Sequence, residues 1–157
     1  MSTTLRSGTQ PDLPRLITVQ LRDMAGRALT LPDIAVRLNL LRLGRAYYDV
    51  LIGLTDERGL ARIEGRAIED RFQLDRRKYP TDYTADLGAC DRRIQVELLS
   101  GAEILAARTL LREHDVRGPL RDIYDRAQNQ GIRPVTIRFP LPLAGADIVI
   151  PVRTERV

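Results

Sequence analysis

Residues 47–67 decide the fold prediction, and they read YYDVLIGLTDERGLARIEGRA. Before residues 55–59, every second position is apolar, namely Tyr48, Val50, Ile52 and Leu54. After them, Ala61 and Ile63 alternate with charged residues. A period of two on both sides of a turn predicts a β-hairpin with one buried and one exposed face. Asp56 and Gly59 suit the turn, because Asp bonds its own backbone and Gly adopts positive φ.

Alternating patterns continue before this stretch. Residues 15–23 predict a first strand and residues 34–42 a second. A helix is the alternative for the second segment, because Leu, Ala and Arg are good helix formers. Pro32 and Gly44 leave that segment short for a helix, which favours the strand. Short turns between these strands predict an antiparallel meander.

The second half of the chain changes pattern twice. Residues 69–91 break the alternation and predict a long connection, because Pro80 cannot donate to a β-ladder. Alternation resumes at 93–99. Residues 103–112 fit a strand or a short helix, and the turn just before them favours the strand. Pro119 and Gly131 delimit a helix at 119–130.

About eight short strands, including 135–139 and 148–152, and one late helix near 119–130 predict a mainly β fold. The predicted architecture is an antiparallel β-sandwich, Ig-like or transthyretin-like, with a five- or six-stranded barrel as the alternative. Residues 1–14 are expected to form a flexible arm and residues 15–157 a single domain. The alternating positions predict a buried core that includes Ile17, Val19, Leu38, Ile52, Ile63, Val96 and Ile148.

Charge and composition favour a soluble, cytoplasmic protein. The chain has 157 residues, a formal net charge of +4 and a pI near 9.7, which invites a nucleic-acid interpretation. Lys78 is the only lysine, however, and the arginines alternate with Asp and Glu throughout. A mixed solvated surface is therefore the favoured interpretation. The polar N-terminus lacks the apolar core of a signal peptide, and no apolar run is long enough to cross a membrane.

Residue types that carry chemistry are scarce. His114 lies in a charged turn and Cys90 is alone, so neither has a visible catalytic partner. Four carboxylates lie near predicted turns, where such groups can gather around calcium: Asp23, Asp33, Asp56 and Glu57. Turn formation is the favoured role. We expect no catalytic residue, no cofactor and no metal.

The best candidate for binding is residues 76–83, which combine cationic and aromatic side chains with a stiffening proline. The predicted partner-binding residues are Arg76, Arg77, Lys78, Tyr79 and Tyr83. Arg and Tyr are enriched at interface hot spots. Base stacking on Tyr79 is the nucleic-acid alternative, and packing of the tyrosines over a sheet edge is the purely structural one.

Residues 17–63 resemble the transthyretin-like family of β-sandwiches, which includes the regulatory-like domain beside carboxypeptidases. The matching motifs are Ile17-Thr18-Val19-Gln20-Leu21, Asp23-Met24-Ala25-Gly26, Val36-Arg37-Leu38 and Thr55-Asp56-Glu57-Arg58-Gly59-Leu60-Ala61. Asp33 stands where that family usually has Gly. One branch hydrolyses a purine-derived substrate with histidines and a C-terminal Tyr-Arg-Gly-Ser, and this chain has only His114 and ends Arg153-Thr154-Glu155-Arg156-Val157. The resemblance therefore implies a fold and does not imply that activity.

The predicted function is a non-catalytic protein–protein interaction or structural module, as a subunit of a larger assembly. The partner is expected to be another protein or a second copy of the chain. A basic nucleic-acid-binding module is the alternative, and a small hydrolase is the third reading.

If Tyr79 anchors a partner, Tyr79→Ala should weaken binding by about 1–3 kcal/mol with little change in melting temperature. A binding titration and a thermal melt of the same variant measure the two effects. A protein partner should lose little affinity as salt rises, whereas a nucleic acid should lose about an order of magnitude. Loss of stability with intact binding would show that Tyr79 is a packing residue.

Overall fold

The computed structural model describes residues 13–42, 45–70, 93–140 and 145–157, with side chains outside 42–50. Its strands are β1 (Leu16–Arg22), β2 (Ala35–Arg42), β3 (Arg45–Leu54), β4 (Leu60–Glu64), β5 (Arg93–Leu98), β6 (Val135–Pro140) and β7 (Asp147–Arg153). Its helices include α1 (Gly101–Glu113) and α2 (Pro119–Arg126), and residues 65–70 are also helical.

The strands form two sheets. One has three strands in the order β4-β1-β7, and the other has four in the order β3-β2-β5-β6. Their facing sides share one aliphatic core, in which Ile17 and Val19 from β1 meet Val36 and Leu38 from β2. The predicted mainly β sandwich is thus confirmed. The β1–β7 ladder is parallel, however, while the other ladders between the described strands are antiparallel.

The predicted hairpin across residues 55–59 is wrong, and so is the meander. β3 pairs with β2 in the four-stranded sheet, whereas β4 pairs with β1 in the three-stranded sheet. Residues 55–59 therefore cross between the sheets, as do residues 23–34 in the opposite direction. Alternation shows that one face of a strand is buried, but it does not show which neighbour the strand pairs with.

Thr55 joins the two crossovers. Its hydroxyl accepts a hydrogen bond from the Ile34 N–H at 2.9 Å and donates one to the Leu31 carbonyl at 2.6 Å. Its backbone N–H donates to the Ile34 carbonyl at 3.0 Å, and its carbonyl accepts from the Asp33 N–H at 2.8 Å. Thr55 is buried, so the backbone groups that it bonds could not turn to water instead. Removing its hydroxyl would leave them without a hydrogen-bond partner and would lower the stability of the fold.

The turn after Thr55 depends on Asp56 and Gly59. The Asp56 carboxylate accepts bonds from the N–H groups of Arg58 (2.9 Å) and Leu60 (3.1 Å) and from the Arg62 guanidinium (2.9 Å). Desolvation raises the pKa of Asp56, but these hydrogen bonds outweigh it and hold that pKa below its ordinary value. Gly59 has φ +77°, and a Cβ there would overlap the Leu29 carbonyl oxygen.

The preference for a strand at 103–112 is also wrong, because this segment lies within α1. A capping box begins the helix: the Ser100 hydroxyl accepts from the Glu103 N–H at 3.1 Å, and the Glu103 carboxylate accepts from the Ser100 N–H at 3.0 Å. The Ala, Leu, Arg and Glu content of the segment supports a helix as well.

The late helix begins at Pro119 as predicted but ends at Arg126, so the predicted end near residue 130 is wrong. The cause is Asn129, whose buried side chain accepts from the Ala35 N–H at 2.7 Å and donates to the carbonyls of Ala35 (3.1 Å) and Leu99 (2.7 Å). These bonds hold the chain in a non-helical path against β2.

Most of the predicted core is confirmed. Ile17, Val19, Leu38, Ile63 and Val96 are buried. Ile148 is only partly buried against the main core. Ile52 is partly buried in a second cluster, beside Ala35 and Ile104, because Leu51 and not Ile52 faces the main core.

Gly59→Ala should lower the free energy of unfolding by about 3 kcal/mol or more, because the added methyl overlaps backbone that cannot move aside. Gly131→Ala is the matched control: Gly131 also has positive φ (+81°), but no atom lies within 4 Å of the position its Cβ would take. For this control, the free energy of unfolding should fall by only about 1 kcal/mol, because alanine is strained at positive φ. Equal losses in urea denaturation would contradict the close packing of the two crossovers.

Candidate interaction surface

Helix α1 lies on the outer face of the four-stranded sheet. Ile104 is the helix residue that is buried, and it packs with Ala35, Leu99 and Ala127. Ile52 and Leu54 of β3 pack against the same cluster. One anchoring residue in a helix of 13 residues leaves most of the helix surface uncovered.

Arginine side chains fasten α1 to α2. The Arg108 guanidinium donates to the carbonyls of Tyr124 (2.6 Å), Asp125 (3.4 Å) and Ala127. These are groups at the C-terminal end of α2, where the last carbonyls lack partners within the helix. Arg112 adds an ion pair with Asp125 at 3.0 Å. The position of α1 is therefore fixed on one side only, by contacts with the sheet and α2.

The opposite side of α1 is apolar and exposed. Ala102, Leu105, Ala106, Thr109 and Leu110 follow the i, i+3, i+4, i+7, i+8 spacing of one helix face. We call these five residues the α1 stripe. Leu105 is 62% exposed and Leu110 is 55% exposed. Single exposed leucines are ordinary, but two on one helix face with small residues between them make this face a candidate interaction surface.

A cleft of about 430 Å³ adjoins the stripe. Ala102 and Leu105 belong to both the stripe and the cleft wall, and Ile104 contributes to the floor. Polar groups line the far side, among them Arg108 and Gln130. The cleft lining is mainly polar, so the stripe supplies the apolar area of this region and the cleft supplies a polar edge beside it.

A polar cluster lies elsewhere on the same sheet. The Glu97 carboxylate accepts bonds from Arg37 (2.6 Å), Asn39 (2.8 Å) and Gln95 (3.2 Å). Arg37 stands directly opposite Glu97, and Asn39 opposite Gln95, in the β2–β5 ladder. Because its neighbours on β2 and β5 donate to both carboxylate oxygens, Glu97 ties the two strands together at this register.

The sequence-predicted sites have different outcomes. Residues Arg76, Arg77, Lys78, Tyr79 and Tyr83 lie outside the described residues, as does Cys90, so this binding prediction stays a prediction. His114 is exposed at the C-terminal cap of α1, where its backbone N–H donates to the Leu110 carbonyl at 3.1 Å.

The turn carboxylates serve turn structure. Asp23 accepts from the N–H groups of Ala25 and Arg27, each at 2.9 Å, and Asp33 pairs with Arg126 at 3.2 Å. Across residues 13–42, 45–70, 93–140 and 145–157, no group of three His, Cys, Asp or Glu side chains is placed to hold a metal.

The sequence pattern does not predict the α1 stripe when residues 103–112 are taken as a strand. Had the segment been treated as a helix, the spacing of Leu105 and Leu110 would have shown the stripe. No helix in the described part of the chain is both long enough and apolar enough to span a membrane.

Comparison with known proteins does not identify a family. No family model matches the chain, and no curated protein matches it. It is similar to the Bacillus anthracis TIE protein, with a TM-score of 0.45 and 14% identity over 90% of this chain and 17% of that chain. It is also similar to (S)-allantoin synthase, with a TM-score of 0.41 and 11% identity over 94% of this chain and 45% of that chain. The chain thus spans less than half of either structure, and likeness at this level carries no function across.

Ile104→Ala should lower the free energy of unfolding by about 2–4 kcal/mol, because it removes the side chain that anchors α1. Leu105→Ala, one residue along, should change it by less than about 0.5 kcal/mol, because that side chain is mostly exposed. Equilibrium denaturation at a protein concentration low enough to keep the chain monomeric measures both. A large loss for Leu105→Ala would mean that the stripe is already covered in the free protein.

Proposed function

We propose that the protein is a non-catalytic protein–protein interaction module that binds through the α1 stripe. The observation that carries this proposal is the exposure of Leu105 and Leu110 on one face of a helix that is fastened from the other side. Burying two such side chains on binding contributes about 1.5–3 kcal/mol each.

The chemistry of the stripe suits another helix as its partner. Ala102, Ala106 and Thr109 form a shallow channel between the two leucines, and small residues allow two helix axes to approach within about 8–10 Å. An amphipathic helix lying in an apolar groove is a common mode of recognition.

A second copy of the chain supplies such a helix. When two α1 helices pack antiparallel, a two-fold axis between residues 107 and 108 places Leu105 of one helix across from Leu110 of the other and Ala106 across from Thr109. Leucine then meets leucine on either side of the small residues. The same surface serves both copies, as in an isologous interface. We therefore infer that the module forms a homodimer through α1.

The way α1 is held also supports binding. Arg108 and Arg112 tie it to α2, and Ile104 ties it to the sheet. A surface that is already ordered loses little conformational entropy on association, so more of the burial energy appears as affinity.

The surface charge gives less support to the nucleic-acid alternative. Arginines spread over the described surface pair with carboxylates, as in Arg15–Asp147 (2.5 Å), Arg62–Asp56 (2.9 Å) and Arg133–Glu155 (2.9 Å). Phosphate-backbone binding depends on arginines and lysines whose charge is available.

Sedimentation velocity over a wide concentration range tests the proposal. The native chain should form dimers, and Leu105→Glu and Leu110→Glu should each weaken dimerisation at least about tenfold, because each places a charge in the buried centre of the interface. Met24→Glu is the matched control, because Met24 is 55% exposed, like Leu110, but lies in the turn after β1. It should leave dimerisation unchanged.

A monomer at every concentration would rule out the second copy as the partner. Dimers that survive both glutamate variants would place the interface elsewhere, and Tyr79→Ala would then test residues 76–83. Circular dichroism of each variant shows whether the fold is retained, so that unfolding is not mistaken for loss of an interface.

A further inference from the structure

Two arginines stand side by side on the outer face of the three-stranded sheet. The parallel β1–β7 ladder pairs Arg22 directly with Arg153. Both belong to the outward-facing set of their strands, since Leu21 and Val152 beside them are buried in the core. Neighbouring strands are about 4.8 Å apart, so the two side chains begin next to each other.

The two guanidinium groups also end near each other. Arg22 donates to the Gly26 carbonyl at 2.6 Å. A guanidinium nitrogen of Arg153 lies 3.3 Å from the position that a Cβ on Gly26 would occupy. Both groups therefore reach the turn after β1 at Gly26, where the absence of a side chain leaves room for them.

No carboxylate forms an ion pair with Arg22 or Arg153 among the residues that the structure describes. The acceptors of Arg22 are the Gly26 carbonyl and the Gln20 side chain (2.9 Å), which are both neutral. The Arg153 side chain makes no hydrogen bond or ion pair with the residues in the described ranges. The nearby Asp23 carboxylate already accepts from two backbone N–H groups of the turn.

Like charges directly opposite each other in a sheet are destabilising. Elsewhere on the described surface, arginines such as Arg15 and Arg133 meet a carboxylate. A local arrangement that opposes stability without a compensating contact is characteristic of a functional site. The pair Arg22–Arg153 has this property, and Arg153 is exposed to solvent.

We propose that Arg22 and Arg153 bind a phosphate group, as inorganic phosphate or as a phosphate monoester of a small molecule. Guanidinium groups bind phosphate through paired N–H donors, and two of them balance the charge of a dianion. This site lies on the opposite sheet from the α1 stripe and does not depend on the dimer proposed above.

Titration of the native protein with inorganic phosphate and with methyl phosphate, at constant ionic strength, tests the site. Isothermal calorimetry measures affinity, and a thermal melt measures stabilisation by the bound anion. Arg153→Gln should weaken phosphate binding at least about tenfold, because it removes one of the two guanidinium groups. Arg138→Gln, which removes an exposed arginine from the edge strand β6 of the other sheet, should bind phosphate like the native protein.

The melting temperature without phosphate tests independently whether Arg153 stabilises the fold. Arg153→Gln should melt at the same temperature as the native protein or higher, because it relieves the repulsion with Arg22. A structural role for Arg153 predicts the reverse.

Equal phosphate responses of the native protein, Arg153→Gln and Arg138→Gln would mean general charge screening and would overturn the proposal. Binding of a single-stranded oligonucleotide without binding of inorganic or methyl phosphate would also overturn it, because a polynucleotide would then be the ligand.

Discussion

Thr55 stands where the two crossovers between the sheets meet, and its hydroxyl bonds to both Leu31 and Ile34 of the first crossover. Four residues on, the Gly59 carbonyl accepts from the Leu21 N–H at the end of β1. These bonds bring the start of β4 beside β1 while β3 stays beside β2. This junction supports the β4–β1 and β3–β2 pairings, and β5, β6 and β7 extend the two sheets through ladders of their own.

The sequence predicted the strands well and their pairing poorly, for a physical reason. Alternation is local, so Ile17 and Val19 in β1 or Leu38 in β2 reveal a buried face without any knowledge of the neighbouring strand. Pairing depends on hydrogen bonds between distant residues. The end of α2 depends on Asn129, whose partners Ala35 and Leu99 lie 94 and 30 residues away. No local pattern records such contacts.

The sequence does not predict the α1 stripe or the arginine pair, for the same reason. The α1 stripe exists only if residues 101–113 are helical, since a strand would place Leu105 and Leu110 on opposite faces. The Arg22–Arg153 pair exists only because β7 lies parallel to β1, which no turn between them could suggest. Residues 76–83 could be proposed from sequence because cationic and aromatic side chains are adjacent there. They lie outside the described residues, so that proposal stays a prediction.

The two proposed surfaces occupy opposite sides of the sandwich, because α1 covers the outer face of one sheet and the arginine pair lies on the outer face of the other. A dimer formed through α1 would therefore leave both arginine pairs facing solvent. Substitutions at distant sites without shared contacts have nearly additive effects. The crossover of residues 23–34 passes through Gly26 and bonds to Thr55 near its end, and Gly59 packs against its middle at Leu29. This crossover and the shared aliphatic core both connect the two sheets, and their close packing leaves little freedom for a ligand at one surface to alter the other.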